Sequence, residues 1–183
     1  MNKNDFRKAQ IAQLNAHAAQ TQAAGADLLR QLLTLPVWQH ANTIATTVSS
    51  PIEVPTEPLI KAAKAAGKTV YLPKTMPKRQ LAFLPDDGPR ITSKFGIPEP
   101  AFDVTKQNQN VDLVIVPGVA FSLDCHYRLG FGAGYYDRFL AEYSGPTVSL
   151  VAPVQQFDTA QWPVEIFDWP VDTLITTDLK NSL

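Results

Sequence analysis

The chain has 183 residues, of which 45% are hydrophobic and 18% are charged, and its formal net charge is −1. This composition is typical of an ordered globular protein, and it lacks the basic excess that a nucleic-acid partner would require. The single cysteine, Cys125, excludes an internal disulfide. The apolar runs are too short to span a bilayer. We therefore expect one cytoplasmic domain over residues 1–183, a monomer with neither a nucleic acid nor a membrane as partner.

Three helices are predicted in the first half of the chain. Residues 2–20 are rich in Ala, Gln, Lys and Leu and contain no Pro or Gly. Residues 21–35 carry leucines at helical spacing and end before Pro36. Residues 55–66 form a third helix, closed by Gly67.

The remaining pattern predicts strands that alternate with helices. The predicted strands are 43–49, 68–72, 80–84, 111–116, 147–151 and 173–176. A further helix is predicted over 134–143, where aromatic side chains fall on one side. Residues 85–110 are interrupted by Pro and Gly and are predicted as a long irregular excursion. The alternation indicates an α/β fold, a three-layer helix–sheet–helix sandwich with a mainly parallel central sheet.

The most informative segment follows the buried strand 111–116. Here Gly130, Gly132 and Gly134 alternate just before a helix, so that backbone N–H groups can approach an anion. Arg128 precedes them and supplies donors suited to phosphate oxygens. Alternating glycines alone more often make only a turn. The Walker loop and the dinucleotide-binding fingerprint both differ from this spacing.

The whole run resembles the signature of 5-formyltetrahydrofolate cyclo-ligases, also called methenyltetrahydrofolate synthetases. Residues 128–137 read Arg-Leu-Gly-Phe-Gly-Ala-Gly-Tyr-Tyr-Asp, shortly after Val-Pro-Gly-Val-Ala-Phe at 116–121. Other segments agree with the family in order: Lys3 and Arg7, Glu53 to Thr56, Leu72 to Lys74, Phe95 to Pro100, and Asp168. The loop 122–127 departs from the family by one extra residue, and Asp124 stands there in place of the usual aspartate.

The resemblance implies an ATP- and Mg²⁺-dependent enzyme that converts 5-formyltetrahydrofolate to 5,10-methenyltetrahydrofolate, ADP and phosphate. The formyl oxygen is a poor leaving group, and its phosphorylation by ATP allows N10 to close the ring as phosphate departs. The substrate supplies both nucleophiles, so the protein contributes positioning and charge stabilisation.

The resemblance also implies a role for individual residues. Those expected at ATP are Lys3, Asn4, Asp5, Phe6, Arg7, Arg128, Leu129, Gly130, Phe131, Gly132, Ala133, Gly134, Tyr135 and Tyr136. Those expected at the folate are Val48, Glu53, Phe95, Phe131, Gly132, Ala133, Gly134 and Tyr135. Arg128, Tyr136 and Lys74 are the expected catalytic residues, and Asp137 and Asp168 the expected Mg²⁺ ligands.

Several of these residues also have an ordinary structural interpretation. Lys3 and Arg7 could form a solvated basic helix face, and Glu53 could be an exposed loop acid. Ordinary packing is the favoured interpretation of Phe95, and Lys74 could extend along the surface.

The residues by themselves are also compatible with two other functions. One is a nucleotide-binding module without catalysis. The other is an isomerase or transferase acting on a sugar phosphate or a CoA thioester without ATP.

Overall fold

The computed structural model describes residues 2–177. The helices are α1 (Lys3–Ala16), α2 (Ala18–Thr34), α3 (Pro36–His40), α4 (Glu57–Ala65) and α5 (Tyr135–Leu140). The strands are β1 (Thr43–Ala45), β2 (Thr69–Met76), β3 (Gln80–Pro85), β4 (Arg90–Thr92), β5 (Pro98–Pro100), β6 (Leu113–Ile115), β7 (Ala120–Ser122), β8 (Arg128–Leu129), β9 (Thr147–Val151), β10 (Gln156–Phe157) and β11 (Thr173–Thr176). No helix within residues 2–177 combines the length and the apolar character needed to cross a membrane.

The central sheet has six strands in the order β11-β9-β6-β1-β2-β3. Every neighbouring pair is parallel except β2 and β3, which form an antiparallel pair at one edge. The predicted mainly parallel central sheet is therefore confirmed. The middle strands β6 and β9 are buried along their whole length, which explains the continuous apolar sequence of β6 and the small or apolar residues of β9.

Helices cover both faces of this sheet, but unequally. Helices α2, α3 and α4 bury one face around Leu28, Trp38 and Leu59. On the other face the helical cover is the short α5, whose Phe139 packs edge-on against Phe83 of β3 with ring centroids 4.8 Å apart. The second helical layer is thus thinner than in a regular sandwich, and it leaves room for a cavity beside α5.

A second, three-stranded sheet in the order β10-β7-β8 supports α1. Its apolar cluster contains Leu14 of α1 together with Val119, Leu129 and Trp162. The buried Gln10 amide of α1 donates to the carbonyl of Val119 at 3.0 Å. These contacts fix the first helix beside the segment that carries the glycine run.

The structure differs from the sequence-based prediction at several elements. The strand predicted over 68–72 continues to Met76, and the helix predicted over 134–143 ends at Leu140. The helix predicted over 2–20 ends at Ala16, because His17 leaves helical geometry and α1 and α2 then pack on different sheets. The strand predicted over 43–49 ends at Ala45, after which Ser49 and Thr56 exchange side-chain-to-backbone hydrogen bonds. The excursion 85–110 contains the antiparallel hairpin β4–β5.

A change at Gly25 of α2 is expected to destabilise the fold. A Cβ at this position would lie 2.5 Å from Cγ of Pro55, in the loop before α4. We expect Gly25→Ala to lower the free energy of unfolding by about 1–3 kcal/mol through overpacking, despite the better helix propensity of alanine. Urea unfolding would measure the change. Gly88→Ala is the control because its added Cβ meets nothing within 4 Å, and equal stability of the two variants would contradict the packing argument.

Candidate active site

A cavity of about 670 Å³ lies beside α5 and draws its walls from distant parts of the chain. This volume is in the range of sites that hold small organic ligands. The predicted residues that line it are Lys3, Asn4, Arg7, Val48, Glu53, Phe95, Arg128, Gly130, Phe131, Gly132, Ala133, Gly134, Tyr135, Tyr136, Asp137 and Asp168. Most residues selected from the sequence therefore meet at one place.

Four predicted residues and Asp124 lie outside the cavity lining. Phe6 packs edge-on against Phe157 in the apolar cluster between α1 and the three-stranded sheet, and Leu129 is fully buried in the same cluster. Asp5 is exposed and accepts a hydrogen bond from the Asn2 side-chain amide at 2.7 Å. Nζ of Lys74 lies 3.7 Å from Oε2 of Glu99. Asp124 is exposed on the turn between β7 and β8.

Arg128 on β8 places a buried positive charge in the cavity wall. The residue is 4% exposed, and its Nη2 donates to Oδ1 of Asp137 at 2.8 Å. Burial lowers the pKa of the guanidinium, and the Asp137 carboxylate opposes that shift. Its Nε has no hydrogen-bond partner among the described residues. Arg128 therefore retains a donor for an anionic ligand.

The glycine run curves around this arginine. Gly132 has φ 112°, a backbone conformation that glycine adopts without strain. The carbonyl of Gly130 accepts a hydrogen bond from Arg7 Nε at 2.8 Å, which ties α1 to the loop. Two cationic side chains from distant segments thus lie against one glycine-lined backbone.

A third cationic group, Lys3, is held by acids at the cavity edge. Its Nζ lies 2.7 and 2.6 Å from the two carboxylate oxygens of Asp168, and 2.9 Å from Oε2 of Glu165. The acids Asp137 and Asp168 are therefore both paired with cations, one with Arg128 and the other with Lys3.

The acids fit a metal that arrives together with phosphate. Within residues 2–177, no three His, Cys, Asp or Glu side chains come close enough to hold a metal by themselves. Mg²⁺ commonly takes only one or two carboxylates and completes its shell with phosphate oxygens and water. Asp137 and Asp168 line the same cavity as Arg128, so they match this donor set.

Glu53 offers a half-buried carboxylate in the same cavity. Its Oε2 accepts a hydrogen bond from the backbone N–H of Ser50 at 2.8 Å, and burial raises its pKa above the usual 4.5. Burial also raises the pKa of Tyr136. The hydroxyl of Tyr136 has no hydrogen-bond partner among the described residues. These groups could recognise the N–H and carbonyl groups of a flat polar ring.

Two aromatic side chains form an edge-on pair at the cavity wall. Phe95, in the turn between β4 and β5, lies edge-on to Tyr135 of α5 with ring centroids 6.1 Å apart. Phe95 is 49% exposed, so it is not an ordinary core residue. Such a pair could hold an aromatic ligand.

The cavity lining also contains residues that were not predicted from the sequence. Glu99 is 4% exposed and accepts a hydrogen bond from Thr75 Oγ1 at 2.9 Å. It belongs to the quoted segment Phe95 to Pro100, and this position could have directed attention to it. Arg79 and Phe167 also line the cavity, but neither belongs to a recognisable sequence pattern.

The fold and the cavity together define an α/β protein in which a cationic, glycine-lined wall lies in one cavity with a carboxylate and an aromatic pair. The chain belongs to the 5-formyltetrahydrofolate cyclo-ligase family, whose profile matches residues 1–177.

Individual relatives agree with this family. The 5-formyltetrahydrofolate cyclo-ligase of Escherichia coli K12 is 32% identical over 164 residues, which cover 86% of this chain and 90% of the relative. The Haemophilus influenzae protein of the same name is 34% identical over 168 residues, covering 84% and 88%.

Solved structures show the same architecture. The NMR structure of Aquifex aeolicus 5,10-methenyltetrahydrofolate synthetase is 31% identical and superposes with a TM-score of 0.80, covering 96% of this chain and 90% of that one. The Mycoplasma pneumoniae synthetase, at 22% identity and a TM-score of 0.69, covers 96% and 98% and supports the fold.

Proposed function

We propose that this chain converts 5-formyltetrahydrofolate to 5,10-methenyltetrahydrofolate and splits ATP to ADP and phosphate. One observation carries the proposal. A single cavity contains both a cationic, glycine-lined wall around Arg128 and a half-buried acid, Glu53, suited to a pterin ring. Membership of the cyclo-ligase family supports the pairing of these two ligands.

The reaction is a phosphoryl transfer followed by ring closure. The formyl oxygen attacks the γ-phosphorus, the bond to the β–γ bridging oxygen breaks, and ADP leaves. N10 then attacks the formyl carbon and loses its proton, and the carbon–oxygen bond breaks as inorganic phosphate departs and takes up that proton. Both nucleophiles belong to the folate, so the protein needs to align the reactants and compensate charge.

The cationic side chains are assigned to the triphosphate. Arg128 donates to the transferred phosphoryl group, where negative charge is redistributed in the transition state. Lys3 and Arg7 hold the other phosphates from α1, and the N–H groups of the glycine run complete the cradle. Mg²⁺, bound through Asp137 and Asp168, would neutralise phosphate charge.

The folate is assigned to the other part of the cavity. Glu53 accepts hydrogen bonds from the pterin amino and ring N–H groups, which is a recognition suited to a carboxylate. Val48 forms an apolar wall, and Phe95 with Tyr135 contacts the aromatic part of the ligand. The Tyr136 hydroxyl is a neutral donor to the reacting groups, because burial raises its pKa.

We assign the activity to one cytoplasmic domain that acts as a monomer. The cavity supports only the single-domain part of this assignment, because its lining runs from Lys3 to Asp168 of the same chain.

An absorbance assay for the methenyl product tests the proposed function. We expect the purified protein to form the product from 5-formyltetrahydrofolate only when ATP and Mg²⁺ are both present, with one ADP per product molecule. Omission of ATP, and replacement of ATP by ADP, are the controls. Equal product formation without ATP would contradict the proposal and favour an ATP-independent enzyme.

A further inference from the structure

Residues 165–168 form a tight turn at the edge of the cavity. The N–H of Asp168 donates to the carbonyl of Glu165 at 2.9 Å, and the N–H of Glu165 donates to Oδ2 of Asp168 at 2.8 Å. Pro163 and Pro170 flank the turn and restrict the chain on both sides. The positions of the two side chains at the apex are therefore determined by a closed backbone turn.

The two residues at the apex are apolar, although turns usually place Gly, Asn, Asp, Pro or Ser there. Ile166 is fully exposed and Phe167 is 59% exposed. Phe167 lines the cavity, whereas Ile166 does not. An exposed aromatic ring on a rigid turn, facing a ligand cavity, indicates a surface that a ligand covers.

Phe167 lies next to the charges assigned to phosphate. Its ring centroid is 5.8 Å from Nζ of Lys3, and Lys3 in turn contacts Asp168 of the same turn. The other aromatic group of the cavity, Phe95 with Tyr135, is assigned to the folate. Because the γ-phosphate must face the formyl group, the base of the nucleotide must lie on the opposite side of the phosphates.

We propose that Phe167 is the platform on which the base of the nucleotide stacks. This inference rests on the proposed function, since it presumes a nucleotide at Lys3 and Arg128. Stacking uses the face of the ring, which all purines share. Phe167 therefore contributes affinity for the base but little discrimination between adenine and guanine.

Calorimetric titration separates the base from the phosphates. Phe167→Ala is expected to weaken binding of Mg²⁺–ADP and of a non-hydrolysable ATP analogue by about 10- to 100-fold, the usual effect of losing one stacking partner. Binding of Mg²⁺–tripolyphosphate, which has no base, should stay the same. Phe167→Trp should restore nucleotide binding, and Ile166→Ala, on the same turn, should match the wild type.

Three results would overturn the inference. Unchanged nucleotide affinity in Phe167→Ala would exclude stacking, and an equal loss for tripolyphosphate would show that the ring acts only through Lys3. If sedimentation instead showed that Phe167→Ala dissociates a dimer while nucleotide affinity is unchanged, the turn would be a subunit contact. Failure of the wild-type protein to bind any nucleotide would refute the proposed function itself, which is a separate result.

Discussion

Replacement of Arg128 by alanine is expected to lower kcat/KM for ATP by about 10³-fold. The guanidinium is 4% exposed, and its Nε lacks a partner within the described chain. Removal of a pre-positioned donor to the phosphoryl group typically costs 10²–10³ in rate, and arginines at such positions contribute as much or more. Steady-state kinetics with varied ATP at saturating folate would measure this loss.

Two further variants make the Arg128 prediction specific. Arg128→Lys keeps the charge but loses the planar fork, so its activity should fall between the alanine variant and the wild type. Arg138→Ala is the matched control, because Arg138 is an exposed arginine on helix α5 that does not line the cavity. A change confined to the KM for folate would show that this wall does not bind ATP.

Replacement of Glu53 by glutamine is expected to lower kcat/KM for 5-formyltetrahydrofolate by about 10²-fold. Two hydrogen bonds to a charged acceptor would be weakened, and each such bond contributes about 1.5–3 kcal/mol. The KM for ATP should change little, because Arg128, Lys3 and Arg7 remain. Glu142→Gln, an exposed change after α5, is the control. Normal folate kinetics in the Glu53 variant would refute the pterin assignment.

The same Glu53 variant should show a characteristic dependence of stability on pH. Burial raises the folded-state pKa of Glu53 above its usual 4.5. Below the usual pKa the carboxyl group is protonated in both states and carries no charge penalty. As pH rises through the raised pKa, the wild type loses stability relative to the glutamine variant. Unfolding in urea at pH 4 and pH 7 would measure this, and a pH-independent difference would contradict it.

Much of the central sheet and of the phosphate-binding wall could be predicted from the sequence because their signals are local. Strand β6 has a continuous apolar sequence and β9 is rich in β-branched and apolar residues, since helices or other chain segments cover both strands on both faces. The run from Arg128 to Asp137 combines an arginine, three glycines and an acid within ten consecutive positions. Such compact patterns can be recognised without knowledge of tertiary contacts.

Other features depend on contacts between distant segments and left no sequence signal. The strands β7, β8 and β10 have two or three residues each, which is too short for a periodic pattern. The pair Lys3 and Asp168 joins residues 165 positions apart. The helix breaks at His17 although the sequence there contains neither Pro nor Gly. The break results from the packing of α1 and α2 on different sheets, which no local pattern reveals.

The pairing of Arg128 with Asp137, and of Lys3 with Asp168, has a consequence for inhibitor design. A phosphate mimic that binds without Mg²⁺ would have to separate these pairs and leave carboxylates facing its own negative charge. A compound that presents an anion and a cation at the right spacing could exchange partners with both pairs at once. Screening libraries directed at this enzyme should therefore be enriched in zwitterions rather than in simple anions.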